Sequence, residues 1–380
     1  MDSQLIYKNG KLLLKTEHGT LPPLAYVTYF TEHACYKSFA KQGYHLYSIC
    51  AYFTGLPINS YSGFTPAGKG IFDEKGKPDF SEFDRDVAAL QKEDPRAMFF
   101  PRIYLSMPLW WVEENPTETV TTSATPEGRE MLFSQKYRED GGEFLREFMA
   151  HVQNSSYHDA VIGYQISGGN TQEWFHFDRN GSFCENAYPY FCQYMEQLQS
   201  GSTTSFTKTA FLQNAYESAY LQFANDTVAD TVEYFAKICK EVCQYKQIVG
   251  TFYGYALEAY DRYHQGGFSL YKLLDSPNID FFASPFSYSD ARTLEKELSY
   301  MVPAGSVKLH NKAYVVEADI RTQFSTYPEK SRENIKLKIP YRGDVWFGEP
   351  TQERTLFQIR RAFAKVLTGC GGLWWFDMWG

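Results

Sequence analysis

Eight short runs rich in β-branched and aromatic residues alternate with helix-period segments along nearly the whole chain, at 24–30, 45–53, 98–105, 160–166, 248–255, 279–283, 312–318 and 372–378. Between them the apolar spacing lengthens to three and four, as in Phe83, Val87 and Leu90 within 81–92, or Phe144, Leu145, Phe148, Met149 and Val152 within 142–153. Further helix-like stretches fall at 33–41, across 211–244 with length for two helices, at 292–300 and at 354–367. A strand followed by a helix returns to a parallel partner, and eight such units predict a closed (β/α)8 barrel. A doubly wound open sheet is the rival, and the lack of Gly-x-Gly-x-x-Gly after a strand counts against its dinucleotide-binding forms.

The two ends depart from the repeat. Leu5-Ile6-Tyr7 and Leu12-Leu13-Leu14 flank Asn9-Gly10, a type I′ turn signal, so residues 1–20 read as a hairpin and 21–380 as the barrel. The last strand runs to within two residues of Gly380, so the eighth helix is missing. The outer side of strands eight and one then needs cover from the hairpin, a neighbouring subunit or absent domains. A catalytic module truncated after strand eight is the favoured reading, with homo-oligomerisation through missing carboxyl-terminal domains.

Composition excludes several classes. A net charge of −8 with no basic stripe argues against nucleic acid as a partner. No apolar run reaches the roughly 18 residues of a membrane span, and the amino terminus lacks a secretory pattern. The seven cysteines contain no C-x-x-C, which suits a reducing cytoplasm; Cys239 and Cys243 read as small buried hydrophobes on one helical face. Eight histidines show no H-E-x-x-H, and neither a G-x-S-x-G elbow nor a phosphate loop is present. No metal or cofactor is expected.

Two carboxylates stand out. Glu173 closes Gly168-Gly169-Asn170-Thr171-Gln172-Glu173-Trp174 after the fourth run, and Glu317 lies in Val315-Val316-Glu317-Ala318-Asp319 at the end of the seventh. Acids at the carboxyl-terminal ends of two distant strands suit acid/base cleavage of a glycosidic bond. Trp174 beside Glu173 lowers local polarity, which suits a proton donor. A period of two sets Glu317 and Asp319 on one strand face and, in the last strand, groups Trp375, Asp377 and Trp379 as a sugar platform. Tyr288 is placed to hold Glu317 ionised, and Arg102 to neutralise nearby carboxylates; His176 is a further possible sugar contact. Long segments at 54–78 and 106–141 follow strands two and three, where a cleft would be built.

With its acid after strand four, its second acid at strand seven, and Gly371-Gly372-Leu373-Trp374-Trp375-Phe376-Asp377 at strand eight, the chain resembles clan A of the glycoside hydrolases. Gly163-Tyr164-Gln165-Ile166 is similar to strand four of family 42-type β-galactosidases. The resemblance implies a retaining, exo-acting β-glycosidase acting on oligosaccharides or glycosides, with Glu173 as acid/base and Glu317 as nucleophile. It implies β-galactosides as substrates; a β-mannosidase, another β-glycosidase, or a non-catalytic carbohydrate-binding barrel are the alternatives. The clan has Asn immediately before its acid, whereas this chain has Gln172 there and Asn170 two residues further back, so either amide is left to hold the sugar 2-hydroxyl.

Overall fold

The computed structural model describes the chain except residues 62, 66–67, 124, 199–205, 259–260, 290–291, 328–329, 331–347, 370 and 378–380. Three strands precede the barrel: β1 (Ser3–Lys8), β2 (Lys11–Thr16) and β3 (Gly19–Leu21). The barrel strands are β4 (Leu24–Thr28), β5 (Leu46–Tyr52), β6 (Met98–Tyr104), β9 (Gly163–Ser167), β10 (Ile248–Phe252), β11 (Phe281–Pro285), β12 (Ala313–Ala318) and β13 (Gly372–Asp377). A short ribbon, β7 (Thr119–Val120) and β8 (Arg129–Glu130), folds within the long segment after β6. The eight barrel strands pair in parallel and in chain order, and β13 closes on β4 through Leu373–Leu24 to Asp377–Thr28. This is the (β/α)8 barrel.

Helices cover its outside. Ser81–Glu93 buries the expected Phe83, Val87 and Leu90. The next helix, Gln135–Asn154, begins seven residues before the start expected at 142, because Ser134 caps it by accepting from the Tyr137 N–H at 3.1 Å. Its Gly141-Gly142 pair reads as a breaker yet lies mid-helix. A Cβ on Gly142 would sit 2.9 Å from Ile238, so the glycines let the helix Glu217–Val242 approach closely. The stretch expected to be helical at 292–300 forms no α-helix: Arg292 is drawn to the barrel rim by Asp319 (2.6 Å) and the carbonyl of Phe286 (2.8 Å). Residues after it run back antiparallel, with a Phe286–Tyr300 bridge, and the helix forms at Ala304–Leu309 instead. None of the described helices is long and apolar enough to cross a membrane. Trp379 of the expected sugar platform lies outside the described residues.

The amino-terminal hairpin has its Asn9-Gly10 turn in the left-handed region, at φ 51° and 75°, and gains β3 as a third strand. It does not cover the outer side of β13 and β4, where Tyr26 and Trp375 pack against Tyr36, Phe39 and Tyr44. Instead it caps the barrel floor. Ser3 N–H donates to the Lys246 carbonyl at 2.9 Å, Ser3 Oγ accepts from the Ile248 N–H at 3.0 Å, and Leu12 and Leu14 join Leu46, Phe100, Phe281 and Trp374 in one buried cluster. The hairpin's apolar face is thus the plug that keeps water out of the lumen below the site. Leu14→Ala should cost about 2–5 kcal/mol of unfolding free energy by urea denaturation; a loss near zero would mean that the floor does not depend on the hairpin.

Candidate active site

Alternation along each strand decides what faces the lumen. Ala25 and Val27, Phe100 and Arg102, Phe252, Phe281 and Ala283, Val315 and Glu317, and Trp374 and Phe376 point inward, while Tyr26, Ile103, Ile166, Val316 and Leu373 pack under the helices. Apolar residues fill the lumen from the floor upward to the level of Arg102. From there to the carboxyl-terminal rim the lining turns polar.

Glu317 sits at that transition, 4% exposed. Arg102 Nη1 donates to its Oε2 at 2.8 Å and Trp374 Nε1 donates to the same oxygen at 3.0 Å. The Arg102 guanidinium is held between the rings of Phe252 (4.9 Å) and Tyr29 (5.4 Å), so the cation has little freedom to leave its partner. Burial pushes the Glu317 carboxyl up, and the Arg102 charge and the Trp374 N–H pull against it. Such a pair is costly to desolvate and costlier still to break, since either charge alone would be buried without a partner.

Glu173 approaches from the loop after β9. Tyr255 donates to its Oε1 at 2.7 Å, and Thr171 Oγ1 donates to Oε2. Its pKa is pushed up to about 8, chiefly by burial, with the Glu317 charge adding to the rise and the Thr171 and Tyr255 hydroxyls opposing it. Both carboxylates also bear on the Tyr29 and Tyr288 hydroxyls. The two acids are therefore neighbours at the carboxyl-terminal end of the barrel.

The loop that carries Glu173 is wound unusually tightly. Gly169, Thr171, Gln172 and Trp174 all have left-handed φ, between 60° and 67°, a conformation that disfavours side chains bearing a Cβ. Gly168 and Gly169 are required here, because a Cβ would meet the Trp174 ring at 2.7 Å or the Phe175 carbonyl at 2.5 Å. Neighbouring segments hold the winding: Thr171 N–H donates to the Ile58 carbonyl (2.6 Å), Ser60 N–H to Asn170 Oδ1 (2.9 Å) and Tyr104 OH to the Gly169 carbonyl (3.1 Å). Behind them Arg129, fully buried, donates to the Pro57 carbonyl (2.7 Å), Tyr104 OH (3.2 Å) and Ser106 Oγ (2.5 Å), with its guanidinium 4.0 Å from the Phe177 ring.

Several residues expected at the site stand elsewhere. Trp375 and Asp377 point outward: Trp375 Nε1 donates to Tyr44 OH at 3.4 Å and Asp377 accepts from Tyr26 OH at 2.8 Å. Trp374 is the inward ring, because Gly372 faces the lumen against Val315 and Pro23 and so sets the phase of the strand. Trp174 is wholly buried outside the lumen, donating to Thr251 Oγ1 at 3.0 Å, and cannot serve as a sugar platform. Asn170 and Gln172 are buried, the first accepting from Ser60 and the second with its Oε1 3.5 Å from Ser167 Oγ. His176 is buried beside Ser182. Tyr288 donates to Asp319 Oδ2 (3.0 Å) rather than to Glu317, and Arg292 holds the other oxygen of Asp319 at 2.6 Å. Arg102, Glu173 and Glu317 are brought together, with Asp319 and Tyr288 beside them. Sequence reasoning missed Tyr255, Trp374, Arg292 and Arg129. Trp374 needed only the opposite strand phase; Tyr255 and Arg292 follow strands, Arg129 lies in the short ribbon, and none of these three carries a local signal. Among the described residues, no three His, Cys, Asp or Glu side chains gather as metal ligands would.

Among solved structures, the chain is similar to the catalytic domain of β-amylase from Paenibacillus polymyxa, with TM-score 0.59 at 9% identity over 93% of this chain and 92% of that one. It is also similar to the endo-1,4-β-mannanase from Rhizomucor miehei (TM-score 0.49, 9% identity, 100% and 90% covered) and to the cold-adapted β-galactosidase from Rahnella sp. R3 (TM-score 0.49, 14% identity, 92% and 57% covered). The chain spans about half the length of the β-galactosidases, 57% of that from Rahnella and 48% of one from Marinomonas. No family profile matches the chain, and no curated protein matches it by sequence. These structural neighbours are glycoside hydrolases, and the likeness, distant in sequence, is one of fold.

The Glu173 environment has a measurable consequence for stability. An unfolded chain releases the Glu173 proton near its ordinary value of 4.5, whereas the folded protein keeps it to about 8. The native state binds the extra proton throughout that window, so stability falls as pH rises through it. Glu173→Gln removes this term. Its melting temperature should fall less between pH 5 and 8 than that of the wild type; parallel curves would contradict a raised Glu173.

Proposed function

We propose that the chain is a retaining, exo-acting β-glycosidase that releases a terminal sugar by double displacement. The observation that carries the reading is the unlike treatment of two neighbouring carboxyl groups at the carboxyl-terminal end of the barrel. Glu317 has a guanidinium and an indole N–H on a single oxygen. Glu173 has only hydroxyl donors and a pKa near 8. One is thereby suited to remain an anion at neutral pH and the other to hold a proton, which is the division of labour such cleavage needs.

In the first step Glu317 Oε1, the oxygen left free by Arg102 and Trp374, attacks the anomeric carbon. Glu173 gives its proton to the glycosidic oxygen as that bond breaks, leaving the sugar as an ester on Glu317. Glu173, now ionised, takes a proton from water; the oxygen of that water attacks the anomeric carbon, and Glu317 leaves as the carboxylate. Arg102 and Trp374 stabilise the charge that returns to Oε2.

The galactoside preference rests on the resemblance of residues 163–166 to strand four of family 42-type β-galactosidases; β-mannosides and other β-glycosides are the alternatives. A panel of nitrophenyl β-glycosides separates them. On the best of these, Glu317→Ala should lower kcat by about 10⁴-fold or more, azide should restore turnover with an α-glycosyl azide as product, and proton NMR should show the β-anomer first for the wild type. Undiminished activity in the variant, or the α-anomer formed first by the wild type, would refute the assignment.

A further inference from the structure

The acid side of the cavity continues outward as a ledge of rings. The Tyr255 ring, whose hydroxyl is on Glu173, meets Phe175 edge-on at 4.7 Å; Phe175 lies 5.0 Å from the His264 ring; and His264 lies 5.9 Å from Tyr61. The Tyr61 ring in turn has the Arg179 guanidinium 5.4 Å from its centroid. Burial decreases along this line, from Tyr255 and Phe175, which are buried, through half-buried His264 and Tyr61 to exposed Arg179. Tyr61 belongs to none of the buried apolar clusters, so core packing does not account for its ring. The positions of Tyr61 and His264 are nevertheless fixed. His264 Nδ1 pairs with the Asp178 carbonyl at 2.9 Å, the His264 carbonyl accepts from His176 N–H at 2.8 Å, and Ser60, next to Tyr61, is tied to Asn170 in the acid loop.

We infer that this ledge binds the leaving group, and that the leaving group is itself an uncharged sugar. The inference rests on Glu173 as the acid: the departing oxygen must lie within reach of its proton, so the remainder of the leaving group extends over Phe175, His264 and Tyr61. The half-exposed rings of His264 and Tyr61 offer stacking surface to the C–H face of a sugar, Arg179 offers donors to its hydroxyls, and the free Nε2 edge of His264, whose Nδ1–H is given to the Asp178 carbonyl, offers an acceptor. A compact alcohol would leave most of that surface unused. An anionic group is disfavoured because the Asp178 and Asp261 carboxylates both bear on Tyr61, beside Arg179.

The test compares kcat/KM for a β-linked disaccharide with that for the glycosyl fluoride of the same sugar, whose departing atom fills no ledge. Tyr61→Ala should lower the disaccharide-to-fluoride ratio roughly tenfold, and Arg179→Ala should lower it less. An unchanged ratio in Tyr61→Ala overturns the ledge, whether both rates fall together or neither moves. If wild-type protein cannot hydrolyse the fluoride, the catalytic reading fails, and the ledge is decided separately by titrating the disaccharide into Glu317→Ala. There, adding Tyr61→Ala should raise Kd roughly tenfold, and an equal Kd overturns the inference.

Discussion

The buried pair between Arg102 and Glu317 is the interaction around which the site is arranged. A guanidinium and a carboxylate inside a barrel survive only if each finds the other in good geometry and the surroundings permit no easy escape. Both conditions hold here: the ion pair is 2.8 Å long, and aromatic rings flank the cation. Below it the lumen is filled by Phe100, Phe281 and Trp374 and closed by the amino-terminal hairpin, which keeps the local dielectric low. Above it the same low dielectric raises Glu173. One physical circumstance, polar groups set on an apolar floor, thus pushes both carboxyl groups up, and only at Glu317 do a guanidinium and an indole N–H oppose it.

The second acid depends on a different device. Glu173 stands on a loop with three non-glycine residues in the left-handed region, which no local preference supports. Its conformation is imposed from outside, by the segment around Ile58 and Ser60 and by Arg129 behind Tyr104. The long segments after β5 and β6 therefore support the site even where they do not reach the substrate. Strain at the acid is sustained by hydrogen bonds made tens of residues away, as expected where precise placement of a reacting group matters.

The fold was largely readable from the chain because alternating periods survive in single segments: strands β4, β5, β6, β12 and β13 lie where the runs predict them. The approach of Glu173 to Glu317 was legible too, since strand order alone brings those ends together. What failed was phase. A barrel strand is buried on both faces, so Trp374-Trp375 looks the same from either side, and the inward ring was assigned to the wrong tryptophan. Local pattern also could not show that Trp174 turns away from the acid it follows, because the turn is produced by contacts to Thr251 and to Gly168 rather than by its own neighbours. The helix expected at 292–300 failed for the same reason, with Arg292 committed to Asp319.

The proposed double displacement requires the sugar to spend part of the cycle bonded to the protein. A 2-deoxy-2-fluoro β-glycoside with a good leaving group slows the second step and lets that species accumulate, so peptide mass spectrometry after brief incubation reads the attachment point directly. Attachment of one fluorosugar to the peptide containing Glu317 is the predicted result. A label on any other residue, or turnover of the reagent with no labelled protein, would contradict the account.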